Sequence, residues 1–118
     1  MEFMTLNNGV AMPLLGFGTF LLGGETCVNA VASAITKGYR MIDTAEAYGN
    51  EREVGLGIRK SGIDRKDLFL VTKVNFKSYE HAKQTVLQSL ANLQTDYIDL
   101  LLLHWPIISF TDIGFMFA

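Results

Sequence analysis

Apolar residues recur along the chain in two alternating rhythms: short, nearly continuous runs, and longer stretches with the spacing of one helix face. Residues 3–12 hold Asn7-Asn8-Gly9 between two short apolar segments, a tight-turn signal that predicts a β-hairpin. After Pro13, the run Leu14-Leu15-Gly16-Phe17-Gly18-Thr19 reads as a short buried strand ending in glycines. A helix is expected over about 25–37, where Cys27, Val31, Ala34, Ile35 and Gly38 keep the spacing of one face. Residues 39–43 read as a second strand and 68–74 as a third. Between them, Asn50 with Glu53 three residues later is a capping-box pattern, with Val54 and Ile58 on the buried face and Gly62 as the stop. A third helix is predicted over about 79–93, capped by Ser78, with Val86, Leu87, Leu90 and Leu93 on one side. Residues 98–104 form a fourth strand, almost wholly apolar, as suits a strand covered on both faces.

Each step from one strand to the next has the size of a β-α-β crossover, and three such units in succession indicate a parallel sheet wrapped by helices. A doubly wound sheet and a TIM barrel both meet that description. Composition narrows the functional classes. Apolar residues make up 49% of the 118 residues and charged residues 19%, a globular balance that argues against disorder. A net charge of −2 without a basic cluster gives nucleic-acid binding no electrostatic support. The single cysteine, Cys27, builds no internal disulfide framework. The start lacks a secretory signal, and no apolar run approaches the roughly 20 residues of a membrane span. A soluble, cytoplasmic protein is expected.

Three ionisable residues stand at the ends of otherwise apolar strands: Asp43, Lys73 and His104. Side chains alternate along a strand, so Asp43 continues the row of Tyr39 and Met41, Lys73 that of Phe69 and Val71, and His104 that of Leu100 and Leu102. Neighbouring strands lie about 4.8 Å apart, so Asp43 and Lys73 at equal height would form an ion pair, with His104 one strand further on. A single polar strand end merely meets solvent. Three at equivalent ends of consecutive strands point to a site at the C-terminal face of a barrel. Other polar residues take plainer readings: Glu51 and Glu53 favour a helix dipole from its first turn, His81 is solvated, and Glu46 has no evident partner. No cluster has metal-ligand spacing, so no metal is predicted. Gly16-x-Gly18 is followed by Leu21 where a dinucleotide fingerprint needs its third glycine, which argues against a Rossmann site.

The segment Gly38-Tyr39-Arg40-Met41-Ile42-Asp43-Thr44-Ala45, then Tyr48-Gly49-Asn50-Glu51 and Val54-Gly55, resembles the first signature of the aldo-keto reductases. Leu70-Val71-Thr72-Lys73-Val74 is similar to their lysine strand, and Asp96 through Leu100 with Leu103-His104-Trp105-Pro106 to their histidine strand. The resemblance implies an α/β fold, a parallel (β/α)8 TIM barrel whose N-terminal face is closed by the β-hairpin. It also implies an NADPH-dependent enzyme interconverting small carbonyls and alcohols. Tyr48 would be the general acid, Lys73 would ease formation of its anion, Asp43 would hold Lys73, and His104 would orient the substrate carbonyl. Gly18 and Thr19 match the cofactor-contacting loop, Asp43 would also touch the nicotinamide ribose, and Trp105 would line the substrate pocket beside His104.

A TIM barrel typically takes about 250 residues, and this sequence holds four of its strands. Residues 1–106 read as the N-terminal part of such a barrel, truncated after the fourth strand, and 107–118 as a divergent apolar tail carrying Ile107, Ile108, Phe110 and Phe115. A half-barrel would expose strand edges, which favours self-association. The alternative to a working reductase is a catalytically inactive fragment, or a non-catalytic interaction module of the same fold.

Overall fold

The computed structural model describes residues 1–105, so the expected apolar tail over 107–118 lies outside the described residues. The chain opens with the hairpin that Asn7-Asn8-Gly9 predicts. Strand β1 (Phe3–Thr5) runs antiparallel to β2 (Ala11–Pro13), with Phe3 opposite Pro13. Gly9 takes the left-handed conformation that closes the turn (φ 85°), and the Val10 N–H donates to Asn8 Oδ1.

Four strands then form one parallel sheet: β3 (Phe17–Gly18), β4 (Met41–Asp43), β5 (Phe69–Val74) and β6 (Leu100–Leu103). Helices α1 (Gly24–Thr36), α2 (Glu51–Ser61) and α3 (Tyr79–Leu93) fill the crossovers. The strand order β3-β4-β5-β6 follows the chain without reversal. A doubly wound sheet reverses its order at a switch point, whereas successive β/α units laid side by side curve into a barrel. The described residues therefore form an arc of a (β/α)8 barrel with the helices on its outer side.

Alternation along the strands sorts the side chains into two sets. Ile42 and Leu70 face the helices and are completely buried against Val31, Val54 and Ile58. Full burial of one such aliphatic side chain contributes roughly 1.5–3 kcal/mol. Helix α2 is wedged between its neighbours because two of its residues lack a side chain. A Cβ on Gly57 would stand 2.7 Å from the Val28 carbonyl oxygen in α1, and one on Gly55 would stand 2.7 Å from that of Leu93 in α3. Gly62 ends α2 in the left-handed conformation, as its position predicts.

Three expectations need correction. The first strand of the sheet is only Phe17–Gly18, and Leu14 and Leu15 are exposed, because the Leu14 N–H is tied to the Glu2 carbonyl at the hairpin. Helix α3 buries Thr85, Ser89 and Leu93, while Leu87 is exposed, because the row facing α2 is partly polar. Strand β6 is not covered on both faces: Leu101 is 42% and Leu102 39% exposed, since among the described residues only β5 pairs with it.

The entry to β6 is fixed by Arg65, in a short 3-10 turn at Arg65–Asp67. Its guanidinium donates to the Leu68 and Tyr97 carbonyls and to Thr95 Oγ1, pairs with Asp99 at 2.8 Å, and lies 3.9 Å from the centre of the Tyr97 ring. Asp99 in turn accepts from the Leu70 N–H. The start of β6 is thereby locked to the start of β5, which sets how far along its strand His104 falls.

Candidate active site

The polar residues at the strand ends face the concave side of the arc, but they climb rather than stand level. Gly18 pairs with Asp43, and Asp43 pairs with Val71, so Lys73 lies two residues further along β5 than the position opposite Asp43. Lys73 in turn pairs with Leu102, and His104 lies two residues further again. Asp43 and Lys73 are therefore not at equal height, and yet they pair. Inward positions recur every second residue, and the tilt of barrel strands takes up part of each step. The long lysine side chain bridges the remaining offset by reaching back toward its carboxylate.

Lys73 Nζ donates to Asp43 Oδ1 at 2.7 Å, to the Thr44 carbonyl at 2.9 Å and to the Tyr48 hydroxyl at 3.4 Å. Tyr48 belongs to a 3-10 turn over Glu46–Tyr48, closed by Gly49 in the left-handed conformation. That turn folds the phenol back over the end of the sheet. Its ring meets His104 edge-on at 5.7 Å and Phe20 at 5.0 Å between centroids. The structure therefore brings together all four residues singled out from the sequence: Asp43, Tyr48, Lys73 and His104.

His104 is held by its backbone, whose N–H donates to the Val74 carbonyl, and by Trp105, whose indole stacks on the imidazole at 3.8 Å and 5°. Trp105 is 50% exposed, and its backbone N–H donates to Asn75 Oδ1. His104 Nδ1 is buried and has no hydrogen-bond partner among the described residues.

The loop after β3 forms the other wall. Gly18 is exposed, and nothing lies within 4 Å of the space a Cβ would take. Thr19 is fully buried, and both its N–H and its hydroxyl donate to the Asp43 carbonyl at 3.1 Å. Its side chain is committed to bracing β4 and is turned away from the concave face.

Two residues escaped the sequence reading. Asn50 occupies the N-cap position of α2 as predicted, but its side chain does not cap the helix. It is buried, accepts from the Thr44 hydroxyl at 3.0 Å, and donates to the Thr19 and Leu22 carbonyls at 2.8 and 2.9 Å. Glu51, read from sequence as favouring the helix dipole from the first turn, is only 3% exposed. Its two carboxylate oxygens accept from Thr72 Oγ1 at 2.7 Å and Ser89 Oγ at 3.0 Å. Burial raises its pKa above the usual glutamate value; the two hydroxyls oppose that shift and the nearby Glu46 adds to it. The sequence signal that could have found both is the pair of hydroxyls at Thr44 and Thr72, next in sequence to Asp43 and Lys73. Cys27 is also buried; desolvation first, and then Glu53, raise its pKa and keep it a thiol. Among the described residues, no helix is long and apolar enough to cross a membrane, and no three His, Cys, Asp or Glu side chains group as metal ligands do.

A sequence model of the aldo/keto reductase family matches residues 14–116. Morphine 6-dehydrogenase of Pseudomonas putida is 52% identical over 106 residues, which cover 87% of this chain and 36% of that protein. The NADPH-dependent aldose reductase GRE3 of Saccharomyces cerevisiae is 44% identical over 90% of this chain and 34% of its own length. Glyoxal reductase of Bacillus subtilis is 46% identical over 89% of the chain and 39% of its own length. Among solved structures, an aldo/keto reductase from Brucella melitensis superposes with a TM-score of 0.90 at 42% identity, covering 98% of this chain and 46% of that one. The chain thus spans little more than a third of the length of these curated relatives. A match over most of its residues, on a barrel arc with this polar rim, makes the chain a member of the aldo/keto reductase family.

Proposed function

We propose that this chain carries the proton-donating half of an NADPH-dependent reductase that converts small aldehydes and ketones to alcohols. The observation that carries this reading is the position of the Lys73 ammonium, 2.7 Å from Asp43 Oδ1 and 3.4 Å from the Tyr48 hydroxyl. Reduction of a carbonyl creates an alkoxide that must gain a proton as it forms. Tyr48 supplies that proton, and takes it back in the alcohol-oxidising direction. The phenolate left behind is stabilised by the Lys73 cation, which Asp43 keeps in place. His104, beside the phenol, donates a hydrogen bond to the substrate oxygen and turns the carbonyl carbon toward the hydride source. Trp105, stacked on His104 and half exposed, forms the adjoining pocket wall.

The residues present fit a nicotinamide cofactor. Open space beyond Gly18 lies at the same strand level as Asp43, so a flat ring can approach the backbone closely. Gly18 and the backbone of Thr19 would hold it at one side and Asp43 would meet its ribose. When bound, NADPH would supply the hydride. The preference for NADPH over NADH is carried by the name of the yeast relative. The buried free thiol of Cys27 suits the reducing cytoplasm, which is the compartment proposed.

Titration of the purified chain with NADPH, followed by fluorescence, tests the reading, with reduction of a small aldehyde as the second step. Saturable binding and turnover support it. A second reading is favoured by the exposure of Leu101 and Leu102 on β6: the 118-residue chain alone builds one wall of the site, pairs with itself through that strand and is catalytically silent. Absence of saturable NADPH binding, together with a self-associated species in sedimentation, would select it.

A further inference from the structure

We propose that the consecutive residues Asn50 and Glu51 form a two-pronged clamp that sets the spacing between Asp43 and Lys73. The inference deepens the function proposed above and rests on it, because it concerns how the ion pair at that site is aimed.

The geometry follows from strand alternation. Asp43 and Lys73 face the concave side, so the next residue of Asp43 and the preceding residue of Lys73, Thr44 and Thr72, face the helices. Both threonines are completely buried, and their hydroxyls meet other buried polar groups rather than solvent. The Thr44 hydroxyl donates to Asn50 and the Thr72 hydroxyl donates to Glu51. Two adjacent side chains at the start of one helix thus grip one residue just past the end of β4 and one within β5. Each gripped residue is the immediate neighbour of one member of the ion pair. The Thr44 carbonyl also accepts from Lys73 Nζ, so a shift of Thr44 is felt directly at the ammonium.

A merely structural account of Glu51 is weak. Burying a carboxylate is costly unless a cation accompanies it, and no cation pairs with Glu51 among the described residues. An apolar side chain would fill the same space at lower cost. What a carboxylate adds is two directed acceptors, one for β5 and one for α3. Asn50 adds the same directionality toward β4, and its amide nitrogen also holds the loop after β3 through the Thr19 and Leu22 carbonyls. The two residues therefore act as positioning residues, with Lys73 as the group whose placement they determine.

The test reads the lysine itself and needs neither cofactor nor substrate. The purified 118-residue chain is acetylated with an N-hydroxysuccinimide ester, and the rate at Lys73 is followed by peptide mass spectrometry against exposed Lys60 and Lys66. Thr72→Val removes one prong's grip without changing any charge, Thr72→Ser restores the hydroxyl, and Ser89→Ala removes the other partner of Glu51 without touching β5. Thr72→Val and Ser89→Ala each leave one carboxylate oxygen unpaired, so both lower stability. Only Thr72→Val should release Lys73, raising its acetylation rate about threefold or more, as expected for loss of one aligning hydrogen bond. Thr72→Ser and Ser89→Ala should match the parent. If Thr72→Val does not fold, Thr44→Val, which removes the donor to Asn50, carries the same expectation from the β4 side. An unchanged rate at Lys73, or an equal rise in Ser89→Ala, overturns the clamp. Failure of carbonyl reduction bears on the proposed function alone, so the two readings fail separately.

Discussion

Lys73 approaches Asp43 and Tyr48 unequally: its ammonium is 2.7 Å from the carboxylate and 3.4 Å from the phenol. The short contact fixes the cation, while the long one leaves room to tighten. An interaction that strengthens only as the phenol gives up its proton lowers the barrier without stabilising the ground state equally. This inequality is what the proposed chemistry needs from the pair.

Tyr48→Phe keeps the ring that packs on His104 and Phe20 and removes only the hydroxyl. In NADPH-dependent reduction of a small aldehyde, kcat should fall by about 10²-fold or more, the usual contribution of a positioned acid, while NADPH affinity stays within error. Steady-state kinetics with a fluorescence titration check both. Turnover equal to the parent would remove the proton-donor role.

Lys73→Met preserves much of the side-chain length and removes the cation. Turnover should drop by a factor comparable to that of Tyr48→Phe. The stability change should stay within about 1 kcal/mol, because Asp43 is partly solvated and the ion pair is screened. Urea unfolding alongside kinetics separates the two effects. A large loss of stability with unchanged turnover would mean that the pair is structural.

Glu51 gives a pH dependence whose sign is fixed by its buried position. Its pKa is raised in the folded chain, by burial first, so the folded state favours the protonated form. The groups that meet it are the neutral Thr72 and Ser89, with the Glu46 charge nearby, while Lys73 turns to the other face of β5. No penalty applies below the unfolded value of about 4.3. Stability is then lost as pH rises from there through the folded value. Glu51→Gln should flatten that fall, so the variant gains on the parent between pH 4 and pH 7 in urea unfolding. A parent that grows more stable relative to Glu51→Gln over this range would contradict the assignment.

Gly57→Ala should destabilise the chain by about 1–3 kcal/mol, the usual consequence of overpacking. The added methyl meets the Val28 carbonyl oxygen and the Val31 Cβ, both at 2.7 Å, so α1 and α2 would have to separate. Thermal or urea unfolding measures the change. An unaltered midpoint would show that the two helices yield freely.

Much of the fold was legible because it is written in two periods. The three helices and the β-hairpin lie close to where the apolar spacing and the Asn-Gly turn put them. Asp43, Lys73 and His104 stood out because a charge or an imidazole ends an apolar row. Tyr48 was legible only through its flanking motif, since a loop tyrosine has no pattern of its own. The burial of Glu51 was not legible, because an acidic residue in a first helical turn is already accounted for by the helix dipole. Only the packing of α2 against β5 and α3 shows it enclosed between two hydroxyls. Arg65 was silent for a similar reason: its partners at Thr95, Tyr97 and Asp99 lie about thirty residues away in sequence.

Thr72 and Lys73 sit back to back on β5, one serving the helix layer and the other the open mouth. Strand geometry makes these two duties inseparable. A single residue inserted or deleted within β5 ahead of them would exchange their faces, carrying an ammonium toward the carboxylate of Glu51 and a hydroxyl toward Asp43. The segment can therefore tolerate changes of side chain far better than any change of length.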